Sequence, residues 1–214
     1  MNNILKPKRS RLMLASIAGF AVIAAGVAGI QASLEPADPL PVVTISADYP
    51  QYDSSTALLD AADAVVTAIV IKTRTGLLYP DVDPTNGDPS TNPQAGTKLS
   101  QAELDAMAVP ITISSVRVVE SFDGSLKPGD IVEVKQLGGT TKHVVVRDSE
   151  TTFISDAAAD SSGGQVLLFL VKTDSETYSL ANPTQGLMTV SDDIARPLSA
   201  DGLKPFDLAS LSDR

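Results

Sequence analysis

Cysteine and tryptophan are both missing from this 214-residue chain. Without cysteine there is no disulfide framework, no thiolate metal site and no lipid-modified cysteine, so stability must come from an ordinary apolar core. Aromatic residues make up only 4%. That scarcity speaks against sugar-stacking platforms and against nucleic-acid surfaces, which need stacking aromatics inside a basic groove. Basic residues are also thin beyond the N-terminus: all 26 acids but only 12 of the 16 bases lie past residue 32, a formal charge of −14 there. Such a surface repels phosphates and is compatible with cation binding or simply with solubility. No glycine-rich loop joins a strand to a helix, so nucleotide binding has no support.

What the chain does have is an export arrangement. Lys6, Lys8, Arg9 and Arg11 abut Leu12 to Ile30, a run without a single charge. A secretory apolar region is usually about 7–15 residues long and about 20 suffice to span a bilayer. Two outcomes therefore stand: cleavage after Ala32 or Ala28, or retention of residues 12–30 as a membrane anchor. In both the basic cluster stays inside, and everything from Ser33 onward faces outward.

Beyond this segment the chain reads as four stretches: 1–32 as signal peptide or anchor, 33–53 as a proline-rich lead-in, 54–194 as one folded domain, and 195–214 as a loosely docked tail. The lead-in carries Pro36, Pro39, Pro41 and Pro50, with room for a strand at Val42 to Ile45. Ser54 or Ser55 can cap a short helix bearing Leu58 and Leu59. AVVTAIVIKT, entered at Ala64, is apolar on both faces and β-branched, the pattern of a central, doubly buried strand. Ser100 with Glu103 fits a capping box over QAELDAM. In PITISSVRVVES the apolar parity switches at Ser114–Ser115, which a β-bulge there would produce. Lys127-Pro128-Gly129-Asp130 has the composition of a type II turn. IVEVKQL then alternates as a strand that Gly138-Gly139 is expected to close. GQVLLFLVK reads as a second core strand, and TYSLA and GLMTVSD as two more around a turn at Asn182-Pro183. A short helix at Leu208 to Leu211 is the one element expected in the tail. Each glycine between Ser121 and Gly139 thus has a turn or strand-end position that accounts for it, with no ligand required.

The order of these motifs carries a resemblance. Ala62-Asp63-x-Val65-Val66, the run Val116 to Asp130 with its Pro128-Gly129-Asp130 turn, Leu137-Gly138-Gly139 and Leu167-Leu168-Phe169-Leu170 are similar to a group of exported proteins of Gram-positive, actinobacterial-type bacteria. That group resembles the OB-like barrel of netrin-like and metalloproteinase-inhibitor domains. Over roughly residues 54–191 the resemblance implies a mainly β fold: a single OB-like β-barrel with one or two short helices, preceded by the N-terminal hydrophobic helix. Inhibitors of that superfamily act through a cysteine-tethered N-terminus, which this chain cannot supply, so the resemblance implies no inhibitory activity.

Two constellations invite chemistry. Residues 79–99 hold four prolines and no apolar period, and loops this long in compact domains are often functional. Within it Asp81, Asp83, Asn86 and Asp88 offer several hard oxygens to a calcium ion. Against the EF-hand template, Thr85 stands at position five, Asn86 where glycine belongs and Asn92 where the bidentate glutamate should be; the same residues are what turns require anyway. The second constellation is ADSSGGQ, with Ser161, the lone His143 and Asp148 or Asp156. An extra serine disrupts the protease-like motif, and alternation in KHVVVRD puts His143 on a solvated face. The sequence therefore points to a non-catalytic binding or structural module of the cell envelope. Its expected partners are the membrane, through residues 12–30 if uncleaved, and an envelope protein or polymer, with no nucleic acid. Calcium-dependent adhesion or ligand binding through the 79–99 loop is the alternative.

Overall fold

In the computed structural model, which describes residues 39–79, 96, 98–173, 177–198 and 203–212, the β-branched runs become strands and the fold is mainly β. Residues 1–38, with the run expected to direct export, and residues 80–95, with Asp81, Asp83, Asn86 and Asp88 among them, lie outside the described residues. In chain order the elements are β1 (Val42–Ile45), α1 (Ser55–Ala61), β2 (Ala64–Leu78), α2 (Gln101–Met107), β3 (Val109–Gly124), β4 (Ile131–Thr140), β5 (Val145–Asp148), α3 (Ile154–Ala159), β6 (Gln165–Lys172), β7 (Thr177–Leu180), β8 (Leu187–Ser191), β9 (Ile194–Pro197), β10 (Phe206–Asp207) and α4 (Ala209–Ser212).

Pairing follows a path β1-β5-β4-β3-β2-β6-β8-β9-β10, and β7 lies off it, bonded to both β4 and β6. Five strands are consequently joined in a circuit. β2 runs antiparallel to β3 and β6, β3 to β4 and β6 to β7, and β7 runs parallel to β4. Alternation along β2 and β6 explains why Ala64–Ala68 and Val166–Leu170 are buried on both faces. Ala64, Val66, Ala68, Leu168 and Leu170 join one core with Val116, Val118, Val132 and Val134. Val65, Leu167 and Phe169 face the other way, into a second core with Leu58 and Leu59 of α1, Met188 and Val190 of β8, and Leu208 and Leu211. Phe169 meets Phe206 there at 5.9 Å between ring centroids, a separation at which tilted aromatic rings attract.

Local chemistry set several elements as expected. Ser54 accepts the Ala57 amide at 3.2 Å and caps α1. Ser100 and Glu103 form a reciprocal capping box on α2. The 127–130 turn closes with Asp130 N–H donating to the Lys127 carbonyl at 3.0 Å, and Gly129 takes φ +94°.

Other expectations need correction. β2 is doubly buried only over Ala64–Ala68; Ile71 is 49% exposed. No bulge sits at Ser114–Ser115: β3 runs against β4 in unbroken register from Ile111↔Leu137 to Arg117↔Ile131. The extra residue is Ile71 on the partner strand, and β3 has its own bulges near Val119 and Phe122. The apolar parity switches in the sequence because residues 110–114 are buried on both faces. Gly138 and Gly139 do not end β4; they carry it from its pairing with β3 to its pairing with β5. Gly138 has φ +96°, and a Cβ there would lie 2.9 Å from the Val146 carbonyl, so only glycine allows the bend.

Among the described residues the domain has three short helices where one or two were expected, and the tail has the one expected there. The unforeseen one, α3, has no local side-chain cap; its first amide, Ile154 N–H, donates instead to Gln136 Oε1 of β4 at 2.9 Å. Ile154, Ala157 and Ala158 then join the core inside the circuit. The tail is not loose: β10 pairs with β9, and Leu208 and Leu211 are buried.

Candidate functional site

The proline-rich lead-in is stitched to the domain at four places. β1 lies parallel to β5, Val42 opposite Val145 through Ile45 opposite Asp148. Next, Tyr49 Oη donates to Asp148 Oδ2 at 2.6 Å, and Thr151 Oγ1 donates to the same oxygen at 2.7 Å. Asn182, fully buried, sends its Nδ2 to the Pro50 carbonyl at 2.9 Å. Its Oδ1 accepts from the amides of Thr184 and Gln185 and from the Thr184 hydroxyl, each at 2.8 Å. Gln185 completes the set, receiving the Tyr52 amide on Oε1 and giving Nε2 to the Tyr52 carbonyl, both at 2.9 Å. The side chains of one β7–β8 connection therefore hold the backbone of a segment some 130 residues earlier.

Strapping the lead-in here encloses a cleft of about 530 Å³. Ala47, Tyr49, Pro50 and Tyr52 form one wall, Lys135, Gln136 and Leu137 of β4 another, and Val171, Ser179, Leu180, Ala181 and Pro183 the floor and far side. Across Lys135, Gln136, Leu137 and Ser179 it adjoins a second apolar hollow of about 260 Å³ that reaches Ile111 and Leu78. Volumes of roughly 300–1,000 Å³ with mostly apolar walls are typical of small-molecule sites.

Gln136, Tyr49 and Thr151 on these walls are engaged within the protein. Gln136 gives Nε2 to the Thr152 carbonyl at 2.9 Å and accepts the α3 cap on Oε1. The hydroxyls of Tyr49 and Thr151 both go to Asp148. Burial, and then the bond to Asp148, push the Tyr49 pKa up to about 12, so this phenol stays protonated near neutral pH and cannot act as a base. What the cleft offers is apolar surface with few unspent donors, suited to holding a molecule.

Elsewhere the Ser161, His143, Asp148 and Asp156 constellation is not assembled. His143 is exposed in the turn before β5, and its backbone amide donates to Thr141 Oγ1. Ser161 Oγ donates to the Ala157 carbonyl at 2.9 Å, which ties the hydroxyl to the end of α3. Asp148 is engaged with Tyr49 and Thr151, and Asp156 lies in the first turn of α3. Among the described residues no three His, Asp or Glu side chains converge on a metal position. Glu120, Asp192, Asp193 and Asp207 do rim a hollow of about 630 Å³ near α4.

Sequence reasoning missed the cleft altogether. Its one available signal was Tyr49-Pro50 and Tyr52: two of the chain's four tyrosines stand in a lead-in otherwise fit only for spacing. No protein-family model matches the chain, and no curated protein matches it.

Proposed function

We propose that this is an exported protein whose outward-facing part is a non-catalytic binding module of the cell envelope, built on an OB-like β-barrel. The barrel reading is supported by the circuit of pairings: β2-β3-β4-β7-β6, with β7 parallel to β4 and α3 between β4 and β6, is the strand order such barrels use. β1, β5, β8, β9 and β10 extend it on either side. Export is supported by the four bases next to the uncharged Leu12–Ile30 run.

The observation that carries the binding role is the 530 Å³ cleft under the strapped lead-in, whose lining is mostly apolar and whose Tyr49, Gln136 and Thr151 side chains are bonded within the protein. Nothing on its walls is arranged as a nucleophile with its base, whereas burial of apolar ligand surface supplies roughly 25 cal/mol per Å². Two measurements test the two halves. Protease added to intact cells should remove a C-terminal tag, and a tag that stays protected sinks export. Residues 39–214 should bind a small neutral fluorescent probe such as N-phenylnaphthylamine, and an Ala47→Trp substitution in the cleft wall should weaken that binding. A calcium-dependent form of the module, acting through Asp81, Asp83, Asn86 and Asp88, rests on the sequence alone. Calorimetric titration with calcium separates it: no heat at millimolar metal removes it.

A further inference from the structure

We propose that the protein pairs with a second copy of itself, edge to edge along the outer half of β2, antiparallel and centred on Thr75. The edge is open. β6 accompanies β2 only from Ala64 to Ile69, whereas β3 follows it as far as Leu78. From Val70 to Leu78, β2 therefore has a strand on one side alone among the described residues, and part of its amides and carbonyls turn outward as a template for another strand. The bulge at Ile71 lies at the inner end of this stretch, so Lys72 to Leu78 run in unbroken register with β3.

Proteins that keep such an edge single shorten it or guard it with charge. Here the guard is weak. Arg74 is drawn across the sheet to Glu133 of β4 at 2.8 Å, Gly76 presents no side chain, and Leu77 and Leu78 are 42% and 51% exposed. Covering those two leucines favours association.

The pattern along the edge is self-complementary, which selects a second copy over a foreign strand. Centred on Thr75, the pairing sets that residue against itself, Arg74 against Gly76, Thr73 against Leu77 and Lys72 against Leu78. Threonine pairs stabilise a sheet, directly opposed like charges weaken it, and in this register no like charges are opposed. A centre on Arg74 would set two guanidinium groups face to face. Charge agrees at the ends as well. Tyr79 Oη donates to Asp105 Oδ1 at 3.1 Å, which holds that carboxylate beside the far end of β2. Antiparallel pairing brings Lys72 of one copy to that end of the other, and among the described residues Lys72 has no acidic partner of its own. The contact is one strand wide, so the dimer is expected to dissociate at micromolar concentration, as small interfaces do.

The test uses residues 39–214, which hold every described strand and both cores and form a compact unit by themselves. Sedimentation velocity from micromolar to near-millimolar concentration should show a reversible monomer–dimer equilibrium. Thr75 is exposed, so Thr75→Lys and Thr75→Glu should unfold as the wild type does. Each alone should weaken association at least tenfold, because like charges meet at the two-fold axis, and an equimolar mixture of the two should restore it as a mixed dimer. Ile131→Lys, at the exposed start of β4, should leave the equilibrium unchanged. The chain has no cysteine, so Thr75→Cys carries a single thiol. Oxidation with copper phenanthroline should link two copies through it and leave Ile131→Cys unlinked, a result that decides the matter should a charged variant fail to fold. A monomer at every concentration overturns the proposal, as does a dimer that withstands Thr75→Lys or dissolves equally with Ile131→Lys. A dimer lost in Val43→Lys and kept in Thr75→Lys puts the contact on β1 and overturns it too. Growth beyond the dimer does the same, since a head-to-tail contact does not close.

Discussion

Replacing Gln185 by leucine isolates the contribution of the strap, because leucine roughly preserves the volume of a side chain that is only 8% exposed while deleting both bonds to Tyr52. Those bonds, 2.9 Å each, satisfy the Tyr52 amide and carbonyl. At a net ~0.5–1.5 kcal/mol per bond the loss is about 2 kcal/mol. It does not grow much beyond that, since once the strap lifts, water meets the freed groups. Asn182 still holds Pro50 and β1 still pairs with β5, so the effect should be local. Hydrogen exchange on residues 39–214 should show the Tyr52 amide opening roughly 30-fold more often, since ~1.4 kcal/mol is a factor of ten. Amides of β2, β6 and β8 should exchange almost as before. The neutral probe should bind more weakly, because Tyr49, Pro50 and Tyr52 are a wall of its site. Equal loss of protection across all strands, or unchanged exchange at Tyr52, would refute the idea that Gln185 acts as a clasp on the lead-in.

Three further outcomes follow from the same contacts. Tyr49 carries its folded pKa above the ordinary phenol value of 10.0, up to about 12. Its neutral form therefore contributes stability that is present below pH 10 and lost as the pH climbs through 12. Alkaline unfolding of the wild type should be steeper in that window than that of Tyr49→Phe, and equal slopes would contradict the assignment. Leu168→Ala, in the core inside the strand circuit, should cost about 2–5 kcal/mol in denaturant, whereas Val119→Ala, at an exposed bulge, should stay within about 0.5 kcal/mol. Gly138→Ala forces a side chain into φ +96° and against the Val146 carbonyl. It should cost about 1–3 kcal/mol, and neutrality in thermal unfolding would show that β4 can bend another way.

What could be read in the sequence was whatever is decided within a few residues. Ser54 and the Ser100–Glu103 pair announce α1 and α2 because the cap and the helix are adjacent. Pro128-Gly129 announces its turn for the same reason. The runs at Val65 and Leu167 declare themselves buried on both faces, and so central, without saying which strands flank them. α3 was hidden because its capping atom, Gln136 Oε1, comes from a strand 18 residues upstream. The bulge was assigned to the wrong strand because a parity change in β3 looks the same whether β3 bends or both its faces are covered. The cleft left only one trace in the sequence, the two tyrosines of the lead-in. It exists only where residues 47–52, 135–137 and 179–183 meet, and Asn182 and Gln185, which hold its lead-in wall in place, look in sequence like ordinary turn residues.

The circuit of strands has a narrow seam. β7 is four residues long, bonded to β4 through three registered pairs and to β6 through three more. Free energies of local opening are lowest where few contacts must break, so the ring should breathe at β7 before it opens between β2 and β3, which are paired over nearly their whole length. Ser179 and Leu180 of that seam also line the cleft. An occupant that touches them binds only the closed ring, so by mass action it slows the opening of β7 in proportion to its concentration over its dissociation constant. The exchange rate of the Tyr178 to Leu180 amides is thus a built-in reporter of occupancy, readable without labelling the ligand or introducing a fluorophore into a chain that has no tryptophan.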